Sequence, residues 1–407
     1  MRHTLSLGLA LLSCAWGVVS CEAQAPASQP PLTPFQKLFP NPSGNNGYEE
    51  LVMAGDLLRD NSALDAATAE RATLTAKRHA LADPAVRKAL ELLNQGLEKP
   101  LVPPHSSINA DTTFPELGSI RSLARVLQVQ QYVFLADGHV SEAIASMRTG
   151  LRLSFAAKGD KLLISGLVGV ASDRISINAI ARHIDQLSVR DCDIVQGMVA
   201  EWLAAPDAFV ASLAQERDLS IQAVNKLKVD AASAFKEFLG NTNDPDPATL
   251  ELQSILANNP QVIDMGVDQA VALINARCEN AIANLQMPAS DRKEWKDPMG
   301  NPIATRIMEV VCPDYNVVVE KLILDKALLQ MLGIHAAIRR YHWDYDRLPD
   351  NLEILKLGKM GIDPYSGKPF TYKRTGDTYE LYSVGALYGN GSGSGVSSGK
   401  QITLPTH

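Results

Sequence analysis

Reactive side chains are scarce in this chain. Its 407 residues include five cysteines and eight histidines, and neither type clusters: there is no CxxC pair and no Cys/His group with zinc spacing. The HExxH signature is missing. The tract GNGSGSG has Gly or Ser at the wrong steps for a G-x-S-x-G nucleophile elbow, and no helix follows it. As a phosphate loop it lacks the Lys-Ser/Thr pair and a preceding buried strand. No catalytic residue, metal-ligand set or cofactor-binding motif can therefore be named, and no cofactor is expected. Aromatic residues make up only 6%, while Ala and Leu recur throughout, which favours helices. Positive charge is not in excess either: the formal net charge is -7, with acids and bases interspersed. Without a basic stripe to neutralise phosphates, nucleic acid is not an expected partner.

What is present begins with an export signal. In MRHTLSLGLALLSCAWGVVSCEAQA, Arg2 and His3 form a basic start, and residues 4–20 are apolar or small. Gly8, Ser6 and Ser13 interrupt the run, and a spanning helix needs about 20 strongly apolar residues, so a cleaved signal over residues 1–20 is the better reading. Val18-Val19-Ser20-Cys21 resembles a bacterial lipoprotein box, which makes Cys21 the candidate for lipidation and a membrane tether. The same bond suits ordinary signal peptidase, with Cys21 there by chance, so a free periplasmic protein and an anchored lipoprotein both stand. Beyond Cys21 lie Cys192, Cys278 and Cys312. An oxidising compartment permits one disulfide, and proximity in sequence selects Cys278 with Cys312.

Residues 21–47, rich in Pro and small polar residues, read as an extended spacer. A helical body is expected over 48–300. YEELVMAGDLLRDN sets Leu51, Ala54, Leu57 and Leu58 on one face. DPAVRKALELLNQGLEKP has Asp83 as N-cap and Pro84 at the first helical position, with Gly96 and Pro100 as stops. Two antiparallel helices joined at ADGH follow, then an apolar helix carrying Gly166 and Gly169, for which close helix packing is the expected reason. That helix reads as too short and interrupted to span a bilayer. Further helices are expected at 190–204, 206–239, 248–258 and 263–286, and a turn-rich link at 288–302.

Over about 120–158, Phe134, Gly138, Ala143, Met147 and Gly150 fall at the spacing of a tetratricopeptide hairpin, and the stretch resembles one unit of that family. The resemblance implies small residues where two helices approach and large ones filling the gap. Gln131 stands where that family has a small residue. The region 301–385 resembles the C-terminal part of poorly characterised exported bacterial helical proteins. Within it, RRYHWDYDRLPDNLEIL and DPYSGKPFTYKRTGDTYELYSVG are similar to the soluble part of type II secretion pseudopilins. The resemblance implies a long helix, an LP turn, a short helix and a hairpin ending in YSVG. The residues support the same reading alone. Leu322, Leu329, Ala336 and Trp343 recur every seven residues on a helix from Asp314 to Tyr345. FTYKR and TYELYSV alternate about TGD as a hairpin that must rest on that helix, because an isolated hairpin is marginal in water. The chain departs from pseudopilins in lacking their long N-terminal apolar helix. It also has no Asp or Glu after Glu380, so their calcium is not expected. Residues 386–407 read as a flexible Gly/Ser tail.

Among polar candidates, His335, His342, Asp344 and Asp346 come nearest to a metal constellation. His335 and His342 are about 10 Å apart along a helix, too far to share an ion, and they read as solvated positions near a turn. The fold expected is mainly α: an irregular helical bundle or solenoid-like body with a C-terminal helix-plus-hairpin unit. The function expected is protein–protein contact in the bacterial envelope, with partners of unknown identity. An enzyme, for instance a hydrolase, would instead require ionisable side chains converging in a recessed pocket.

Overall fold

The computed structural model describes residues 32–105, 108, 112–159, 161–205, 209–229, 250, 254, 260–287, 291–293, 295, 301–385 and 401–406. Thirteen α-helices and one two-stranded antiparallel sheet lie among them, the mainly α architecture that the composition and periodicity lead one to expect. The signal, Cys21 and the helix expected at 248–258 fall largely or wholly outside the described residues.

The first helices are α1 (Pro34–Leu38), α2 (Gly47–Leu58), α3 (Ser62–Thr68), α4 (Leu74–Ala82) and α5 (Pro84–Leu97). Asp83 caps α5 as expected, accepting from the N–H groups of Ala85 and Val86 at 2.8 and 3.2 Å. Three expectations need correction here. The second half of the supposed spacer is not extended: α1 forms in it, and Ser43 and Gly44 are pinned to Glu49 by three hydrogen bonds of 2.7–2.9 Å. Leu57 is 39% exposed, so the buried face of α2 is Leu51, Ala54 and Leu58. Gly96 does not stop α5 but lies within it; a Cβ there would sit 2.7 Å from the Gly47 carbonyl oxygen, so its smallness lets α2 and α5 touch.

Next come α6 (Pro115–Ala136), α7 (Val140–Lys158) and α8 (Leu163–Ala181). The three-residue link between α6 and α7 reverses the chain, with Gly138 at φ 77. Gly166 in α8 admits the Phe209 ring, whose nearest carbon would lie 2.4 Å from an added Cβ. By length and composition, 19-residue α8 is apolar enough to cross a membrane, contrary to expectation, yet 67% of its apolar window is buried inside the protein. Such burial is what a core helix shows.

The remaining helices are α9 (Val189–Ala204), α10 (Phe209–Val229), α11 (Pro260–Leu285), α12 (Pro302–Val311) and α13 (Tyr315–Tyr345). Two apolar cores result. One is built by α2 to α6, with Leu153, Ala157 and Val168 reaching in from α7 and α8. The other runs from α7 to α13 and takes in the C-terminal hairpin. Helices α7 and α8 thus form a wall shared by both, and the unit expected over 301–385 is continuous with the body.

Helix α13 begins at the Asp314 N-cap and ends at Asp346 in the left-handed conformation, φ 51. It is not the one-faced amphipathic helix expected. Leu329 to Ile338 are all buried, whichever way they point, and Trp343, the last member of the seven-residue stripe, is 51% exposed. Other elements surround this helix in its middle, so its polar residues need internal partners.

Strands β1 (Thr371–Thr375) and β2 (Thr378–Tyr382) pair in the register Thr371↔Tyr382 to Thr375↔Thr378. Gly376, φ 61, opens their two-residue turn. The hairpin rests on α13, where Tyr379 Oη meets His335 Nδ1 at 2.7 Å. Of the tail expected over 386–407, only 401–406 lie among the described residues, and these are not loose. Ile402 and Ser383 exchange backbone hydrogen bonds of 3.0 and 3.1 Å, and Ile402 and Leu404 are buried.

Candidate functional site

Helix α13 carries Tyr315, Glu320, Asp325, Gln330 and His335, a polar group every fifth residue. Five residues advance an α-helix by roughly 140°, so successive members face different neighbours. Two of the resulting stations are of chemical interest.

The first is a sealed trio. Lys158 ends α7, Asp173 lies within α8 and Asp325 within α13. The Lys158 ammonium donates to Asp173 Oδ2 and, at 3.3 Å, to Asp325 Oδ2, and its Nζ lies 4.9 Å from the centre of the Trp202 ring on α9. All three ionisable residues are buried. Burial alone would discharge the lysine, but the two aspartates outweigh it and raise the Lys158 pKa. Burial, reinforced by the nearby Asp173, pushes Asp325 well above the usual carboxylate range. Burial thus favours the protonated form of Asp325, while the ammonium of Lys158 opposes it. Ionisable groups do converge at bonding distance, then, but none of the three lines either of the clefts described below. The arrangement ties α7, α8 and α13 together in the interior of the protein.

The second station is open. A cleft of about 310 Å³ lies between the end of α9, the end of α11, α13 and residues 359–367. Gln330 forms part of its wall. Its Nε2 donates to the carbonyls of Lys359, Met360 and Ile362 at 2.9, 3.3 and 2.9 Å. Arg292 is fixed at the side, donating to the Met287 and Pro364 carbonyls at 3.1 and 3.2 Å and to Glu320 at 3.2 Å. Burial lowers the Arg292 pKa, partly offset by Glu320, and raises that of Glu320 against the pull of Arg292. Asp363 closes the base: its carboxylate accepts from Tyr365 N, Ser366 Oγ, Ser383 Oγ and Val384 N at 2.9–3.3 Å. The DPYSG stretch is thus a turn, and one whose aspartate ties it to the end of the hairpin. A second cleft, about 560 Å³, lies between the α3–α4 link, α6 and α8; there Lys77 sits 5.5 Å over Tyr132 and its pKa is lowered by burial.

The end of α13 presents aromatic surface. Trp343 and Tyr345 are 51% and 60% exposed. The Trp343 indole donates to the Leu187 carbonyl at 2.9 Å and lies under the Arg339 guanidinium at 4.8 Å. Tyr345 stacks on Tyr341 with centroids 4.4 Å apart.

The residues singled out in the sequence are placed differently. Cys278 and Cys312 are buried free thiols in the structure, not a disulfide. Cys278 Sγ donates to the Leu213 carbonyl at 3.4 Å, and Cys312 lies beside Tyr315 and Ser220. His335 is buried under the hairpin, not solvated. Asp344 pairs with Arg340, and the Asp346 N–H caps α13 on the His342 carbonyl at 2.9 Å. Among the described residues no group of three or more His, Cys, Asp or Glu is placed to hold a metal ion. Lys158, Asp173, Arg292 and Gln330 drew no notice in the sequence. For the helical members the signal was a polar residue inside an apolar run, as in FAAK and ALLQML; Arg292, in the polar stretch SDRKEW, carried none. No family model, curated protein or solved structure matches the chain.

Proposed function

We propose that this is an exported, envelope-associated helical protein that acts by binding other proteins, as a scaffold or adaptor. The observation that carries this reading is the aromatic and arginine surface at the end of α13. Trp343 is held by its indole hydrogen bond and by Arg339, and Tyr345 by its stack on Tyr341. Exposed Trp, Tyr and Arg dominate binding hot spots, and side chains already fixed lose little freedom on docking. Export, to the periplasm or to a lipid anchor at Cys21, is supported by the basic start and apolar run of residues 1–20. The tetratricopeptide-like reading of 120–158 fits the tight α6–α7 link and the buried Ala143 and Met147. The pseudopilin-like reading of the C-terminal region fits the seating of the hairpin on α13 and would make the protein an accessory of a secretion system. The buried trio of Lys158, Asp173 and Asp325 gives no support to the alternative of an envelope hydrolase, because all three are closed off from solvent in the core.

The test is affinity capture from envelope extracts with the native chain and with the double variant Trp343→Ala, Tyr345→Ala. A partner recovered by the former and reduced at least tenfold with the latter is expected. No reproducible partner, or one that the variant retains, would overturn the reading. Mass spectrometry of the mature N-terminus checks the compartment: a chain starting upstream of residue 21 would remove the export proposal.

A further inference from the structure

We propose that the cleft beside Gln330 receives the C-terminal end of a peptide whose last residue is apolar, holding it through its terminal carboxylate and its last amide N–H. The proposal rests on the contact-protein reading and gives that reading a second, chemically defined site.

The first observation is an acceptor with nothing to accept from. Gln330 is 1% exposed, and its Nε2 faces three carbonyl oxygens. Only the amide nitrogen can face acceptors, so the orientation of the group is fixed. Its Oε1 is consequently the atom left over, buried and without a protein hydrogen-bond partner, on a residue that lines the cleft. Buried acceptors are normally paired, and what would satisfy this one is a donor, such as the N–H of a peptide bond.

The second observation is the distribution of charge. Lys326 and Lys359 both line the cleft and both are exposed. Arg292 adds a third cation, already matched by Glu320. The acid in the lining, Asp363, has its carboxylate engaged by four donors, two in its own turn and two at the end of the hairpin. Two exposed lysines therefore border the cleft, which suits a carboxylate.

The third is the apolar remainder of the wall, Leu203, Leu285, Met287 and Ile323. Met287 is left 41% exposed. The volume, about 310 Å³, lies at the small end of the roughly 300–1,000 Å³ found for ligand sites. It fits a terminal residue and its neighbour, not a folded element. An N–H, an apolar side chain and a carboxylate within one residue's reach describe a peptide C-terminus. A fatty acid would supply the second and third but leave Gln330 unsatisfied, and an internal acidic residue would need room for chain on both sides.

The experiment uses fluorescence anisotropy with the mature full-length chain and fluorescein-labelled pentapeptides. One ends in Ala-Leu with a free carboxylate, one is the same peptide as its carboxamide, and one ends in Ala-Lys with a free carboxylate; laurate serves as competitor. Saturable binding of the first is expected, at least tenfold weaker for the other two, with laurate failing to displace it. The double variant Lys326→Ala, Lys359→Ala, both at exposed positions, is expected to keep its melting temperature and lose at least tenfold in affinity. Equal binding of acid and amide, displacement by laurate at the peptide's own affinity, or no binding by any probe would overturn the proposal. The variant Trp343→Ala, Tyr345→Ala separates the two readings. Peptide binding without partner capture would leave the cleft standing and remove the aromatic surface, and capture without peptide binding would do the reverse.

Discussion

Asp325 and Lys326 are consecutive on one helix and belong to opposite kinds of chemistry. Asp325 points into the junction of α7, α8 and α13, where it is 2% exposed and burial raises its pKa well above the usual carboxylate range. Lys326 lies on the cleft, charged and open to solvent. The difference teaches how a helix enclosed on every side in its middle can serve two purposes. Where neighbours close over it, a polar residue is affordable only with its counter-charge built in, and the product is a joint. Where the end of α9 and the 359–367 loop stand apart, the same helix offers groups that are not used up, and the product is a candidate binding site.

The sharpest way to break the comparison is to remove one member of the sealed trio. Lys158→Met leaves two carboxyl groups facing each other without a cation. Breaking a buried ion pair in this way costs about 3–5 kcal/mol, to be read from urea unfolding. Replacing all three together, Lys158→Met with Asp173→Leu and Asp325→Leu, is expected to cost less than the single change, because no uncompensated charge remains. If the single variant proves harmless, the trio is not a joint.

Asp363→Ala comes next. It releases four donors at once and frees the turn that forms the base of the cleft from the hairpin. A loss of about 3 kcal/mol is expected, the upper range for a hydrogen bond to a charged group. Proteolysis confined to the region after Gly361 would mark the damage as local.

The trio also has a pH signature. Below 3.8, the ordinary value, Asp325 is protonated in both the folded and unfolded chain and contributes nothing. Above it the unfolded chain releases the proton while the folded protein keeps it, so stability falls with rising pH up to the raised folded value. Lys158 works the other way: its raised pKa stabilises the fold below 10.5 and that contribution is lost as the pH climbs through the folded value. Asp325→Asn removes the first effect and weakens the second, because Asp325 is one of the two aspartates that raise the Lys158 pKa. Relative to the native chain, the variant should gain stability as the pH rises above 3.8; a difference that stays constant with pH would mean that burial does not raise the Asp325 pKa.

The thiols give a smaller, countable readout. Burial pushes Cys192 up to about 12 and Cys278 to about 11, leaving on the order of one thiolate in a thousand or fewer at pH 8. A chain beginning at Glu22 should take up no iodoacetamide when folded and three labels when unfolded without reductant. A single label would restore the disulfide between Cys278 and Cys312.

Much of the scaffold was legible in advance. Asp83 before Pro84, Asp314 before the long run, the ADGH link and the alternation about Gly376 are local signals with local causes, and all mark real element ends. What escaped depends on partners distant in sequence. The heptad stripe of Leu322, Leu329 and Ala336 suggested one buried face because periodicity cannot register a helix covered all round. Lys158 and Asp325 are 167 residues apart, and nothing local says that they meet. Ile402, after a Gly/Ser tract, docks on Ser383 through backbone groups that carry no sequence signature.

The least perturbing change is the most direct test of the contrast. Lys326→Ala alters an exposed residue one position along from Asp325. Surface substitutions away from buried networks stay within about 0.5 kcal/mol, and Ala has the higher helix propensity, so the melting temperature should scarcely move. If the cleft and the joint are separate, the pH dependence of stability contributed by Asp325 should be unchanged in this variant while any anion affinity of the cleft falls. A shifted pH profile would mean that the Lys326 charge is felt at Asp325, and that the wall between the two stations is electrostatically thin.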